Sequence, residues 1–78
     1  MRIIFTQHSL SQMKIRNISM ENVIECLRNP DRELTDDYNN IIAQKINSSI
    51  LLRVVYRKEN EDKIVITAYI TSKLKKYI

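Results

Sequence analysis

The sequence predicts an α+β domain, in which a short first strand and two helices precede an antiparallel meander, with both helices packed on one face of the sheet. Two observations support this prediction. Apolar residues recur at helical spacing before Pro30 and alternate at strand spacing after it. The chain has 78 residues, no glycine and one proline, which favours a single domain over residues 1–78 without a flexible linker.

The first part of the chain predicts a strand and a capped helix. Residues 2–5, RIIF, are β-branched and aromatic, as is typical of a short strand. Thr6 can then cap a helix that runs to about Arg16. Asn17 follows, and asparagine readily adopts the left-handed conformation that ends a helix.

A second helix is predicted to begin after Ser19, whose hydroxyl can cap it. Glu21 lies in the first turn, where a negative charge is favoured by the helix dipole. The dipeptide Asn29-Pro30 ends the helix. Its apolar stripe, at positions i, i+3, i+4 and i+7, consists of Met20, Val23, Ile24 and Leu27.

Strands and turns fill the rest of the chain, with candidate strands at residues 32–38, 41–47, 50–57 and 63–70. The last two flank the polar residues KENED and predict a hairpin with a five-residue loop. A symmetric loop places position 57 opposite 63 and position 53 opposite 67. One hairpin face is then apolar and faces the helices, while the other carries Leu51, Arg53, Val55 and Arg57 beside Lys63, Val65, Thr67 and Tyr69.

The composition favours a polyanionic partner and excludes several kinds of site. Thirteen lysines and arginines against nine aspartates and glutamates give a formal net charge of +4, and cations that neutralise phosphates gain affinity by releasing counterions. The absence of glycine excludes a glycine-rich phosphate loop. One cysteine and one histidine allow neither an intrachain disulfide nor a structural zinc site of nitrogen and sulfur ligands. A metal held by carboxylates alone is compatible with this composition, but no acidic residues are spaced for it, so we expect no cofactor and no metal.

The hydrophobic pattern predicts a cytoplasmic protein that does not contact a membrane. No apolar run approaches the roughly 18 residues of a membrane span. Charged and polar residues interrupt the N-terminus at Arg2, Gln7 and His8, which is unlike a signal peptide.

The mixed face of the predicted hairpin suits RNA, because arginine offers a planar fork of donors to phosphate and tyrosine a ring on which an unpaired base can stack. Arg53 opposite Thr67, with Tyr69 two residues along, is the strongest constellation. Arg57 and Lys63 lie on the same predicted face. The alternative is that these arginines are ordinary solvated residues that form ion pairs with nearby acids.

The only histidine, His8, begins a polar flank of the first helix, and helical spacing places Gln12 and Arg16 along the same side. A histidine can transfer a proton near neutral pH, as cleavage of RNA by its own 2′-hydroxyl requires. Arg16 could stabilise the negative charge that builds on the phosphorane. The alternative is a structural histidine that caps the helix or packs against the preceding strand.

The stretches FTQHSLSQMKIRNIS, LLRVVYR and KIVITAYI resemble the domain of unknown function 4258 family over nearly the whole chain. The first helix of that family has a histidine, an arginine four residues on and then a second arginine. His8 and Arg16 match the first and third of these, while Gln12 stands at the second.

In the strands, Arg53 matches the family's arginine, and Thr67 with Tyr69 matches its Thr-x-Tyr ending. The order of elements is similar to that of the BrnT-like and RelE-like toxins, which are small basic ribonucleases of toxin-antitoxin pairs. This similarity of fold implies RNA as substrate and a small acidic antitoxin as partner. It is an argument from fold and size.

Three functional hypotheses follow. The first is a toxin-type ribonuclease that cuts RNA without a metal ion, with catalytic residues His8, Arg16, Arg53 and Tyr69 and substrate-binding residues Gln12, Arg57, Thr67 and Lys63. The second is a non-catalytic module that binds RNA or a partner protein through the same face. The third is an inactive relic of a toxin, because the neutral amide of Gln12 does not offset the charge of a phosphate. The pattern predicts no particular oligomeric state.

Overall fold

A computed structural model describes residues 2–77. Its elements are, in chain order, β1 (Ile3–Phe5), α1 (Gln7–Ile15), α2 (Met20–Arg28), β2 (Arg32–Thr35), β3 (Ile41–Asn47), β4 (Ile50–Glu59), β5 (Asp62–Thr71) and α3 (Leu74–Tyr77). The predicted α+β class and the order of strand, two helices and meander are confirmed. The one-turn helix α3 is an addition to the predicted elements.

The five strands form one sheet in the order β1-β5-β4-β3-β2. β1 pairs in parallel with β5, and the remaining neighbours are antiparallel. α1 and α2 lie on one face of this sheet, which we call the helix face, and the opposite one is the outer face. α1 and α2 follow β1 in the chain, and β1 gains its partner in the sheet only when β5 pairs with it.

Short polar side chains begin both main helices, as predicted. The hydroxyl of Thr6 accepts a hydrogen bond from the Ser9 amide at 3.0 Å, and that of Ser19 accepts one from the Asn22 amide at 3.1 Å. Each hydroxyl thereby satisfies one of the free amide groups of a first helical turn.

Left-handed backbone conformations end α1 and form the turns of this glycine-free chain. The residues with positive φ are Asn17, Asn39, Ser48 and Asn60. Three of the four are asparagine, whose short polar side chain tolerates this conformation better than most non-glycine residues do.

The hydrophobic core lies between the helices and the helix face of the sheet. Its fully buried side chains include Met13, Val23, Cys26 and Leu27 from the helices and Ala43, Val54, Tyr56, Val65 and Ala68 from the strands. Met20, predicted to face this core, is 49% exposed at the first position of α2. Cys26 is completely buried instead, and burial raises the pKa of its thiol to about 12.

The predicted register of the last hairpin is wrong. The turn is tight, at Asn60 and Glu61, and the strands pair with Arg53 opposite Tyr69 and Val55 opposite Thr67. A bulge between these pairs and the turn then shifts the register by one residue. The extra residue is in β5, and since successive strand residues face opposite sides, the β5 side chains between the bulge and the turn face the side opposite to the predicted one.

Candidate functional site

The outer face carries a polar row across four strands. Arg32 of β2 pairs with Gln44 of β3, Gln44 with Arg53 of β4, and Arg53 with Tyr69 of β5. Directly paired residues of neighbouring strands point to the same face, so these four side chains lie side by side. We call them the polar row.

Arg53 holds the centre of the polar row through two hydrogen bonds. Its Nε donates to Gln44 Oε1 at 2.8 Å, and its Nη1 donates to the hydroxyl of Tyr69. The guanidinium carbon also lies 5.6 Å from the centre of the Tyr69 ring. These contacts hold the guanidinium in one orientation on the sheet.

The short helix α3 covers this part of the outer face. The ring of Tyr77 lies over Arg53, 4.1 Å from its guanidinium carbon, and the Tyr77 carbonyl accepts a hydrogen bond from Gln44 Nε2 at 3.2 Å. Arg53 is consequently 7% exposed and Gln44 only 1%. The predicted half-solvated sheet face is therefore wrong at its centre, because a helix that the strand pattern did not predict shields it from water.

Exposed cations surround the covered centre. Arg57 lies further along β4 and forms a loose ion pair with Glu59 at 3.5 Å, with both side chains about half exposed. Also exposed around this centre are Arg32 of the polar row and three lysines in and beside α3, namely Lys73, Lys75 and Lys76. No acidic residue occupies a paired position in the outer-face rows through Leu51, Arg53 and Val55. The outer face is thus predominantly positive.

Arg16, at the end of α1, reaches the edge of β5. Its Nη1 donates to the Ala68 carbonyl at 2.8 Å and lies 3.3 Å from the hydroxyl of Thr67. Thr67 and Tyr69 share the outer face as successive residues of one side of β5. The structure therefore brings together four of the predicted site residues: Arg16, Thr67, Tyr69 and Arg53.

His8 and Gln12 do not join this group directly. His8 is exposed in the first turn of α1, and Arg16 lies eight positions further on, a rise of roughly 12 Å along the helix. Gln12 is half-buried between them, on the same flank. The polar flank of α1 thus begins at the exposed His8 and ends where Arg16 contacts the edge of β5.

Lys63 lies on the helix face, not on the predicted outer face, because of the bulge in β5. It is 9% exposed, donates from Nζ to the carbonyl of Leu27 at 3.0 Å, and lies 5.0 Å from the centre of the Tyr56 ring. Cations are favoured at the carboxyl end of a helix, and Leu27 is in the last turn of α2. Lys63 therefore anchors α2 to the sheet.

Tyr56 extends the polar contacts beneath α2. Its hydroxyl donates to Glu33 Oε2 at 2.6 Å, and burial together with this carboxylate raises the pKa of Tyr56. Within residues 2–77 every buried side-chain nitrogen or oxygen has a hydrogen-bond partner. These contacts stabilise the fold on the side opposite the polar row.

Two residues of the covered centre, Gln44 and Tyr77, are absent from the predicted site. Gln44 is a polar residue in the otherwise apolar first half of β3, and alternation along the strand would have placed it on the outer face. Tyr77 follows a lysine-rich segment that gives no signal of packing on the sheet. Only the folded chain places it over Arg53.

In the described part of the chain, residues 2–77, no group of three or more histidine, cysteine, aspartate or glutamate side chains is placed to hold a metal ion. No helix among the same residues has the length and apolar character needed to cross a membrane.

Comparison with known proteins gives one match. The model of a family described as domain of unknown function (DUF4258) matches residues 5–70, from the end of β1 to near the end of β5. No curated protein and no solved structure matches the chain.

Proposed function

Since this chain belongs to the DUF4258 family, whose description assigns no activity, we propose a function from the site itself: the protein binds single-stranded RNA across the outer face of its sheet. The observation that carries this proposal is the placement of Arg32, Arg57 and the three lysines beside α3 around one face whose central rows are free of acids. Such a field attracts a phosphate backbone.

Hydrogen-bond donors and rings on the same face favour RNA over other polyanions. Arginine binds phosphate through a planar fork of donors, and tyrosine provides a ring for an unpaired base. The exposed Arg32 and Arg57 offer such donors around the face, and the ring of Tyr69 lies at its centre beside Arg53. An acidic protein, such as the antitoxin that the toxin-like element order implies, would be drawn to the same field and should compete with RNA.

A salt titration with matched charge variants tests the proposal. We expect a short labelled uridine oligonucleotide to bind with an affinity that falls steeply with salt, measured by fluorescence anisotropy. The double variant Lys73→Gln/Lys75→Gln removes two cations from the outer face and should make the slope of log K against log salt less steep by about 1.4. The control Lys14→Gln/Arg28→Gln removes two exposed cations from α1 and α2.

The control should bind as the unsubstituted protein does, since its two cations lie on the helix side. Equal weakening of both double variants would mean that net charge, and not the outer face, attracts the RNA. Absence of saturable binding at low salt would contradict the proposal. Binding of an acidic peptide without binding of RNA would point instead to a protein partner.

Cleavage of the bound RNA is a second candidate function, supported by the contact of Arg16 with Thr67 beside the Arg53–Tyr69 pair. Exposed Arg16 offers a cationic donor for a transition-state phosphorane, and exposed His8, roughly 12 Å away on the same helical flank, would be the proton-transfer group. Incubation of RNA with the protein in EDTA should then give cleavage that His8→Ala and Arg16→Ala each reduce by about 100-fold or more. Cleavage that is absent, or unchanged in both variants, would leave binding alone.

A further inference from the structure

The covered centre of the outer face buries two polar side chains, Arg53 and Gln44, on the side of the sheet opposite the helices. Arg53 presents the flat face of its guanidinium, and Gln44 presents its Nε2 donor beside it. The orientation of the Gln44 amide follows from its partner: Arg53 only donates, so Gln44 Oε1 faces Arg53 and Nε2 faces outward. The result is a stacking plane with an adjacent hydrogen-bond donor.

Tyr77 occupies both the stacking plane and the hydrogen-bond donor. Its ring stacks on Arg53, and its carbonyl oxygen accepts from Gln44 Nε2. An aromatic plane with a carbonyl oxygen near its edge is also the chemistry of a uracil, cytosine or guanine base. We propose that Gln44, Arg53 and Tyr69 form a binding site for one unpaired nucleobase, and that Tyr77 occupies this site in the free protein.

This inference rests on the proposed function and adds to it a base subsite and its intramolecular competitor. A phosphate binds at the edge of a guanidinium, where its N–H groups point, and on Arg53 two of these groups, at Nε and Nη1, already donate to Gln44 Oε1 and to the hydroxyl of Tyr69. What displacement of Tyr77 uncovers is a face and one amide donor. Those groups recognise a base rather than a phosphate.

Few contacts hold α3 and its Tyr77 on the sheet. α3 is four residues long, and a helix of one turn has no stability of its own in water. Its hold on the sheet includes the stack of Tyr77 on Arg53 and the single hydrogen bond from Gln44. A base that stacks on Arg53 replaces both contacts, while Lys73, Lys75 and Lys76 remain tethered nearby to attract the RNA backbone.

The test removes the cover without changing the charge. Tyr77→Ala should bind a short uridine oligonucleotide about 3- to 10-fold more tightly than the unsubstituted protein, because the base no longer has to displace a ring from a cation. Tyr77→Phe keeps the ring over Arg53 and should retain the original affinity. Tyr38→Ala removes a tyrosine that is 84% exposed in the turn between β2 and β3, and should also leave affinity unchanged.

A second substitution identifies the stacking plane. In the Tyr77→Ala background, Arg53→Lys keeps the positive charge but removes the flat guanidinium, and the gain in affinity should disappear. Circular dichroism would establish that each variant is folded. If Tyr77→Ala does not fold, exchange of the Lys76 and Tyr77 amides in the unsubstituted protein replaces it: RNA should accelerate their exchange, and unchanged or slower exchange would overturn the inference.

The outcomes separate the two proposals. Tighter binding by Tyr77→Ala, with no change in Tyr77→Phe, supports the base site. Equal or weaker binding by Tyr77→Ala, in a protein whose unsubstituted form binds RNA, overturns the base site and leaves the proposed function standing. Absence of RNA binding by the unsubstituted protein and by Tyr77→Ala overturns both.

Discussion

Arg53 shows which part of a site a sequence can predict at the scale of one residue. Its position on the outer face beside Tyr69 and Thr67 follows from strand alternation, which the structure preserves between Leu51 and Val55. Its burial does not follow, because the covering ring belongs to Tyr77 in a separate element. A sequence pattern predicts the face of a residue more readily than it predicts what packs on that face.

Substitution of Arg53 should lower the stability of the fold. Arg53→Ala removes the partner of Gln44 Oε1 and the plane under Tyr77, leaving a buried amide oxygen without its donor. We expect a loss of about 2–4 kcal/mol in the free energy of unfolding, measured by urea denaturation.

Arg57→Ala is the matched control for that experiment, since Arg57 lies on the same strand and face but is half exposed. Its effect should stay within about 0.5 kcal/mol. Similar losses from the two substitutions would show that Arg53 is not held as described.

At the scale of elements, the helices are predicted more accurately than the last hairpin. Thr6 and Ser19 mark helix starts that the structure confirms, because a cap depends on local chemistry alone. The bulge in β5 has no such local marker in the sequence. The pairing of β5 with β1 is not local either, because the paired residues are far apart along the chain. Without the extra residue of this bulge, strand alternation predicts Lys63 on the outer face, whereas the structure places it on the helix face.

Lys63 provides a test of that correction. Lys63→Ala should lower the free energy of unfolding by about 2–3 kcal/mol, because the carbonyl of Leu27 loses its buried donor and the lysine stem leaves a void. Lys58→Ala, at the paired position of β4 and exposed, should change stability by no more than about 0.5 kcal/mol. Loss of RNA affinity in folded Lys63→Ala would place Lys63 in the binding site after all.

The turn between β2 and β3 should make stability depend on pH. Desolvation alone would raise the pKa of Asp36, but hydrogen bonds from the Asn40 and Tyr38 amides and from Asn40 Nδ2 lower it below the ordinary 3.8. A lowered folded-state pKa stabilises the fold above the unfolded value, and this contribution disappears as pH falls through the folded-state pKa. Asp36→Asn should therefore be less stable than the unsubstituted protein at neutral pH.

Thermal unfolding across a pH series would check this expectation. The difference in melting temperature between Asp36→Asn and the unsubstituted protein should shrink as the pH is lowered below 3.8. Asp37→Asn, one residue along and exposed, serves as the control and should show no comparable loss at neutral pH. A difference that persists unchanged at low pH would mean that ionisation of Asp36 is not its cause.

For the whole molecule, composition and periodicity together predict the class of fold and the sign of the surface charge. The net charge of +4 is a property of the sequence, but its concentration on the outer face depends on the sheet order and on α3. Family membership leaves the activity open, because the matched family is one of unknown function. The proposed function therefore depends on the location of the charges.

The most direct measurement of the central claim is an amide NMR titration of the ¹⁵N-labelled protein with a short uridine oligonucleotide at low salt. Binding across the outer face predicts saturable shift changes at Gln44, Arg53 and Tyr69 and in α3, while exposed positions of α1 and α2 such as Lys14 and Arg28 stay unchanged. Changes confined to the two long helices, or the absence of saturable change anywhere, would contradict the claim.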